Sequence, residues 1–273
     1  MPLSSHAGGA LMTQKDTHLK EIGRRKFCKV ILGSISLLLI PEKNSLAKGK
    51  GEYKAWYDEK YNPKDHRYGM GINVDRCIGC GRCVDACKRE NNISDDPFYF
   101  RTWIERYVIA GSGEVTVDSP NGGRNGFKNH LQEKNVLRTF FVPKICNQCD
   151  KPPCVQVCPV GATYKTDDGV ILVDEKYCIG CRYCIQACPY GMRFLNPKTR
   201  TADKCTFCYH RILKGLVPAC VEVCPTEARV FGDLSKVASP LSRFVRMNKI
   251  MVLKPQLNTE PKVFYTNLDM EVR

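Results

Sequence analysis

The chain has 273 residues, a net charge of +14 and 17 cysteines. A length of this order allows one or two domains, and the cysteine count raises the question of metal ligation or disulfide bonding first. The basic excess has no homeodomain, zinc-finger or RNP pattern to organise it. It is therefore better suited to docking on an acidic partner, or to balancing anionic metal ligands, than to binding nucleic acid.

Residues 1–47 have the pattern of an export signal. Arg24 and Arg25 precede an uncharged, mostly apolar run at residues 30–40, and small residues before position 48 form a cleavage site. These features indicate a twin-arginine signal that is cleaved after Ala47 and that delivers a folded protein to the periplasm. The apolar run is short for a membrane span. An uncleaved N-terminal anchor is the alternative, and Met12 is an alternative start.

The first cysteine motif follows a predicted strand at residues 72–74. Its members lie at gaps of two, two and three residues: Cys77, Cys80, Cys83 and Cys87. This is the spacing of a bacterial-type ferredoxin, in which three cysteines of a tight loop bind one 4Fe-4S cluster and the fourth binds the other cluster of a pair. Cys87 precedes Lys88 and Arg89, and cations there are expected to favour the reduced form of its cluster.

A long segment without cysteine, residues 91–145, is predicted to be a β-rich insertion. Strands are expected at residues 97–109, 113–117 and 136–142, with turns at residues 121–123 and 125–126 between the second strand and the third. The aromatic side chains of the first strand are expected to form the inner face of this sheet, with a subunit interface as the alternative.

Three more cysteine quartets follow the insertion. They are Cys146, Cys149, Cys154 and Cys158; Cys178, Cys181, Cys184 and Cys188; and Cys205, Cys208, Cys220 and Cys224. The quartet that begins at Cys178 repeats the ferredoxin spacing and follows a predicted strand at residues 170–173. In each motif the fourth cysteine is expected to begin a short helix or to lie within one. Sixteen of the 17 cysteines are thus accounted for, and Cys28 is left over.

Other uses of the cysteines fit this pattern poorly. Secreted disulfide frameworks are typical of short chains and do not repeat this spacing. Zinc ribbons use paired CxxC knuckles, whereas a third cysteine follows two residues later in two of the quartets. No CxxC is followed directly by histidine, so covalent haem is excluded. GxGxxG, P-loop, HExxH and GxSxG motifs are absent, which leaves nucleotide and hydrolytic chemistry without a site.

The chain also repeats itself. Residues 72–87 are echoed by 171–188, and the Cys154–Cys158 stretch is echoed by the Cys220–Cys224 stretch. The repeat predicts an α+β fold of two interleaved bacterial-type ferredoxin modules, each for two 4Fe-4S clusters, with the β-rich insertion. Within a domain spanning 48–273, residues 146–188 form a local module, and 68–90 joins 202–230 in the second.

Crossed fourth ligands then give four 4Fe-4S clusters. The expected ligand sets are Cys77, Cys80, Cys83 with Cys224; Cys205, Cys208, Cys220 with Cys87; Cys146, Cys149, Cys154 with Cys188; and Cys178, Cys181, Cys184 with Cys158.

Several stretches carry a resemblance to a known group of proteins. They are Cys146-Asn-Gln-Cys149-Asp-Lys-Pro-Pro-Cys154, Ala202-Asp-Lys-Cys205-Thr-Phe-Cys208, Ala219-Cys220-Val-Glu-Val-Cys224, Val252-Leu-Lys-Pro and Val263-Phe-Tyr265. From about Tyr68 to the C-terminus the chain resembles the four-cluster electron-transfer subunits of respiratory complexes with a molybdopterin catalytic subunit. It looks most like the tetrathionate reductase type, and it is similar to the polysulfide, thiosulfate and dimethyl sulfoxide reductase types.

The resemblance implies a non-catalytic subunit of an oxidoreductase complex. Electrons would pass through four 4Fe-4S clusters between a quinone-interacting integral membrane subunit and a periplasmic, molybdopterin-type catalytic subunit. The alternatives are a free-standing periplasmic polyferredoxin and the equivalent subunit of a hydrogenase or of a sulfite-reduction membrane complex. The terminal substrate is not encoded here, because specificity lies in the catalytic partner.

Overall fold

The computed structural model describes residues 61–127 and 135–272. The twin-arginine signal, Cys28 and the two candidate starts lie outside these described residues. Within them the chain mixes short helices with small sheets, as an α+β fold requires. No helix in this part of the chain combines the length and apolar character needed to cross a membrane.

The strands are numbered in chain order. They are β1 (Tyr68–Asn73), β2 (Thr102–Ala110), β3 (Val115–Asp118), β4 (Val136–Ile145), β5 (Thr163–Lys165), β6 (Ile171–Val173), β7 (Phe194–Leu195), β8 (Ala202–Asp203), β9 (Arg229–Asp233), β10 (Ile250–Met251) and β11 (Val263–Thr266).

The helices are short. They are α1 (Arg82–Glu90), α2 (Pro153–Gln156), α3 (Tyr183–Gln186), α4 (Tyr209–Ile212), α5 (Ala219–Glu222) and α6 (Pro240–Met247), with 3-10 turns at Pro63–Asp65, Pro120–Gly123 and Pro255–Leu257.

A four-stranded sheet joins distant parts of the chain, in the order β10-β11-β1-β9. Strand β1 runs parallel to β11, with Met70 opposite Val263, and antiparallel to β9, with Met70 opposite Phe231. Met70 and Val263 are completely buried, so the sheet forms the centre of the hydrophobic core. The N-terminal segment before Cys77 is thereby fixed against the segment that follows Cys224.

The insertion forms a separate antiparallel sheet in the order β3-β2-β4. The three predicted strands are present, but β2 begins at Thr102, five residues later than expected. Residues 96–98 form a turn instead of a strand, in which the Asp96 carboxylate accepts the backbone N–H of Phe98. Tyr107 on β2 is buried and stacks on Phe140 of β4, with ring centroids 5.2 Å apart, whereas Phe98 is exposed.

The helices correct one sequence-based expectation. Helices α2, α3 and α5 each contain the third cysteine of a quartet, and each ends two residues before the fourth: Cys158, Cys188 and Cys224. Each of these fourth cysteines precedes proline, which disfavours helical conformation in the residue before it. Cys87 has no proline after it, and it alone of the four lies inside its helix, α1.

Candidate metal centres

The structure groups most of the candidate cysteines into sets of four, each named here for the third cysteine of its triad. Cys77, Cys80, Cys83 and Cys224 line one cavity and form the Cys83 set. Burial raises the pKa of the Cys77 thiol to about 11, and the nearby Cys83 and Cys224 thiolates contribute to the rise. The fourth member therefore comes from a segment far along the chain.

The Cys220 set consists of Cys205, Cys208, Cys220 and Cys87. Burial raises the pKa of the Cys87 thiol, and the thiolates of the other three members add to the effect. All four side chains are buried. The Asn91 amide, one turn after Cys87, lies 3.6 Å from Cys87 Sγ and 3.7 Å from Cys208 Sγ and donates to both.

The Cys154 set consists of Cys146, Cys149, Cys154 and Cys188, which line a second cavity together with Arg193. Burial raises the pKa of Cys149 to about 12, with contributions from the thiolates of the other members. Cys146 and Cys149 are buried, while Cys154 and Cys188 are partly exposed.

The fourth set is less directly defined. Cys178, Cys181 and Cys184 form a triad at the start of α3, and helices α3 and α2 pack against each other. Cys158 follows α2, and its sulfur accepts the backbone N–H of Thr163 over 3.4 Å. The structure thus brings the Cys158 segment alongside the triad through helix packing, without a described thiol contact. We refer to these four cysteines as the Cys184 set.

The sets are adjacent to one another in a single order. Cys154 and Cys184 both lie near the Arg193 guanidinium, and both thiolates raise its pKa. Cys146 lies close enough to raise the pKa of Cys205, and Cys83 lies close enough to raise the pKa of Cys220. The series is therefore Cys184 set, Cys154 set, Cys220 set and Cys83 set. Both ends of the series have an exposed cysteine, Cys181 at one end and Cys80 at the other.

Comparison with known proteins identifies the kind of site. A family described as "4Fe-4S dicluster domain" matches residues 137–234, and a second family with the same description matches residues 76–162. A tetrathionate reductase subunit of Salmonella typhimurium is 46% identical over 208 residues, which are 75% of this chain and 74% of the relative.

The chain belongs to the iron-sulfur electron-transfer subunits of reductase complexes. A tetrathionate reductase subunit of Archaeoglobus fulgidus is 45% identical over 221 residues, 81% of this chain and 89% of the relative. The arsenate respiratory reductase iron-sulfur subunit of a Shewanella species is 34% identical over 247 residues, 73% of this chain and 95% of the relative. The resemblance predicted from the cysteine motifs is confirmed, and the cofactors of this iron-sulfur subunit are 4Fe-4S clusters.

The donor groups fit these clusters chemically. A 4Fe-4S cluster is held by four cysteine thiolates, and three of the sets each bring four cysteines to one place. Since burial and mutual repulsion raise the pKa of thiols such as Cys77 and Cys149, a cationic metal group is what would hold them as thiolates. Among residues 61–127 and 135–272, no three His, Cys, Asp or Glu side chains converge closely enough to hold a single metal ion.

Lys88 and His210 lie near this iron-sulfur machinery, and each has hydrogen-bond partners outside the cysteine sets. The Lys88 ammonium is buried and donates to the backbone oxygens of Ser94 (2.7 Å) and Asp96 (2.8 Å), so it serves the loop that follows α1. His210 is half-exposed and its Nε2 lies 2.6 Å from the Glu90 carboxylate, which makes it a hydrogen-bonded surface histidine.

Sequence reasoning did not single out three other cations. Arg193, Lys204 and Arg229 are buried at positions between neighbouring cysteine sets. A signal for the two arginines is present in the chain, because each lies five positions after a fourth cysteine, Cys188 or Cys224.

Proposed function

We propose that this iron-sulfur subunit is non-catalytic and relays electrons through four 4Fe-4S clusters. Its partners are a quinone-linked integral membrane subunit and a periplasmic catalytic subunit of molybdopterin type. The observation that carries the proposal is the series of four cysteine sets, which is buried at the Cys220 set and exposed at Cys181 and Cys80. A series of this kind gives electrons an entry at one surface and an exit at another.

The proposed ligands are the four members of each set. The Cys83 set takes Cys224 as its fourth ligand, the Cys220 set takes Cys87, the Cys154 set takes Cys188 and the Cys184 set takes Cys158. A bound 4Fe-4S cluster supplies one-electron oxidation and reduction. The cavities lined by the Cys83 set and by the Cys154 set support these assignments directly, and the internal repeat extends them to Cys158.

The chain's own groups are suited to holding such clusters in a reducible state. The backbone N–H groups of Phe207, Thr163 and Ala202 donate to the sulfurs of Cys205, Cys158 and Cys178 over 3.3, 3.4 and 3.4 Å respectively. Hydrogen bonds to ligand sulfurs and reduced exposure to solvent are two of the means by which proteins set cluster potentials. The four sets therefore differ in environment, and their potentials are expected to differ.

The decisive experiment is to purify the chain anaerobically under gentle conditions, with whatever partners accompany it, and to measure iron, acid-labile sulfide and reductive EPR spectra. The proposal expects about sixteen irons per chain, several interacting clusters and a large molybdenum-bearing companion. About eight irons and no companion would favour a free-standing ferredoxin. Because two relatives are named as tetrathionate reductase subunits, tetrathionate is the first substrate to offer the purified complex.

Export by the twin-arginine route is a separable part of the proposal. Replacing Arg24 and Arg25 together with lysine is expected to leave the protein in the cytoplasm, because the route reads the arginine pair. The measurement is the ratio of periplasmic to cytoplasmic protein after cell fractionation, with Lys26→Arg as the control that leaves the pair intact. An unchanged periplasmic yield in the double variant would contradict this part of the proposal.

A further inference from the structure

Arg229 lies between two cysteine sets and contacts both. It is only 1% exposed. Its Nη2 lies 3.5 Å from Cys83 Sγ and its Nη1 lies 3.8 Å from Cys220 Sγ, so one guanidinium donates to the third cysteine of two different triads. A 2.8 Å hydrogen bond from Nη2 to Thr102 Oγ1 fixes its orientation.

Arg193 has the corresponding position at the other end of the series. It is 5% exposed, lines the cavity of the Cys154 set, and has Cys154 and Cys184 as its main charged neighbours. These are again the third cysteines of two triads. Nη1 donates to Thr163 Oγ1 over 3.2 Å, while Nη2 is buried without a hydrogen-bond partner among the residues that the structure describes.

Lys204 occupies the junction between the two central sets. It is 1% exposed, and its ammonium donates to the backbone oxygens of Ile171 and of Cys205, the latter over 2.7 Å. The thiols near it are Cys146 and Cys154, which belong to the Cys154 set, and Cys205, which belongs to the Cys220 set. Each of the three junctions in the series therefore contains one buried cation.

The buried cations Arg106 and Lys262 and the partly buried Arg101 each have a carboxylate partner, which the three cations between the sets lack among the residues that the structure describes. Arg101 pairs with Asp203, Arg106 pairs with Asp118, and Lys262 pairs with Asp150. Within the described ranges, no carboxylate forms an ion pair with Arg193, Lys204 or Arg229. Burying a charge without a counter-ion is strongly unfavourable, so the thiolates on either side are the groups that compensate these cations.

We propose that Arg193, Lys204 and Arg229 are inter-cluster cations, one at each junction, which raise the reduction potentials of the two clusters they separate. This inference rests on the ligand sets of the proposed function. When one electron moves across a junction, one cluster is oxidised and its neighbour is reduced. A cation that contacts ligands of both stabilises the added negative charge on either side, and so raises both potentials.

The test compares Arg229→Gln with Arg193→Gln in the iron-loaded complex by anaerobic EPR redox titration. In Arg229→Gln, two of the four clusters are expected to show at least a tenfold lower equilibrium constant for reduction, which is 59 mV for one electron. In Arg193→Gln the other two clusters are expected to shift. This complementary pattern needs no prior assignment of EPR signals to cysteine sets. In the Arg193→Lys and Arg229→Lys variants, the equilibrium constants for reduction should stay within threefold of the wild type.

Arg106→Gln is the matched control, because Arg106 is as buried as Arg193 but pairs with Asp118 in the insertion sheet. Its four potentials should stay within threefold of the wild type. Glutamine variants with full iron content and unmoved potentials would overturn the inference. If the glutamine variants lose iron, the potentials of Arg193→Lys and Arg229→Lys are measured instead. A tenfold shift in the reduction equilibrium of these charge-conserving variants would also overturn the inference. A wild type without four clusters would refute the ligand sets themselves, and the inference with them.

Discussion

Cys224 shows how one residue is directed away from its sequence neighbours. Cys220 lies within α5 and Cys224 lies two residues beyond the end of that helix, just before Pro225. The two thiols consequently join different sets: Cys220 lies near Cys205 and Cys208, and Cys224 lines a cavity with Cys77. Cys87 makes the reverse exchange from α1, so two chain segments each supply a cysteine to the other's set.

Single cysteine substitutions test this exchange. Cys224→Ala should remove the same EPR signal as Cys77→Ala, and each should lower the iron content by about four of about sixteen atoms or convert one cluster to a three-iron form. Cys87→Ala should share a different spectral loss with Cys205→Ala. The result that contradicts the assignment is a common loss for Cys224→Ala and Cys205→Ala, since that would mean that each quartet closes on itself.

At this scale the sequence predicts the cysteines but not the charges between them. Cluster binding requires a particular spacing of cysteines, which is visible in the sequence. The position of Arg229 beside a cysteine set is visible only in the folded chain, where Cys83, 146 positions earlier, lies against it. Among the 42 lysines and arginines, Arg193 and Arg229 share a position five residues after a fourth cysteine, but this spacing does not by itself reveal that they are buried between cysteine sets. Lys88 illustrates the converse, because it follows Cys87 directly and yet directs its ammonium to backbone oxygens of the next loop. Its expected effect on the Cys87 cluster stays a prediction.

Helix α6 is held close to the main sheet by glycine. Gly232 on β9 lies opposite Gly69 on β1, and α6 packs over both strands. A Cβ atom at Gly232 would lie 2.9 Å from the backbone nitrogen of Leu241 and would overlap the Ser239 hydroxyl. Neither obstruction is a flexible side-chain end, because Ser239 Oγ is buried and accepts the backbone N–H of Asp233 over 3.0 Å.

Gly232→Ala is therefore expected to displace α6 and to lower the free energy of unfolding by about 1–3 kcal/mol, the usual cost of overpacking. Hydrogen exchange of the α6 amides in the iron-loaded protein should become faster. Gly111→Ala is the control, because it lies in the insertion, away from α6, and its Cβ would come closest to the amide end of the exposed Asn135 side chain. Equal exchange rates in the two variants would contradict this account of α6 packing.

Elements were predictable where the signal was local. The strands before Cys77 and Cys178 and the three strands of the insertion follow from short apolar or aromatic runs, and all are present. The parallel pairing of β1 with β11 was not predictable, since the two strands are separated by almost the whole described chain and neither carries a register signal. The helices end earlier than the regular cysteine spacing predicts, because the proline after Cys158, Cys188 and Cys224 disfavours helical conformation in each of these cysteines.

For the whole molecule, the two ends of the cysteine series differ from its buried Cys220 set in exposure. Near Cys181, the side chains of Tyr177, Ile179 and Tyr183 are exposed, and near Cys80 the same is true of Ile78. Exposed apolar and aromatic side chains around a functional group are typical of interaction surfaces. Partners of an electron-transfer subunit must approach the end clusters, so these two surfaces are where we expect them to dock.

Tyr183→Ala should weaken association with one partner, and Ile78→Ala should weaken association with the other. Loss of a central aromatic contact costs about 2 kcal/mol, or roughly thirtyfold in Kd, and neither substitution adds a charge that would disturb a cluster potential. The measurement is the dissociation constant for each purified partner, with iron content and EPR midpoints recorded alongside. Leu137→Ala, at an exposed position of the insertion sheet, is the control. If Tyr183→Ala and Ile78→Ala weakened the same partner equally, the two ends would not be separate docking surfaces.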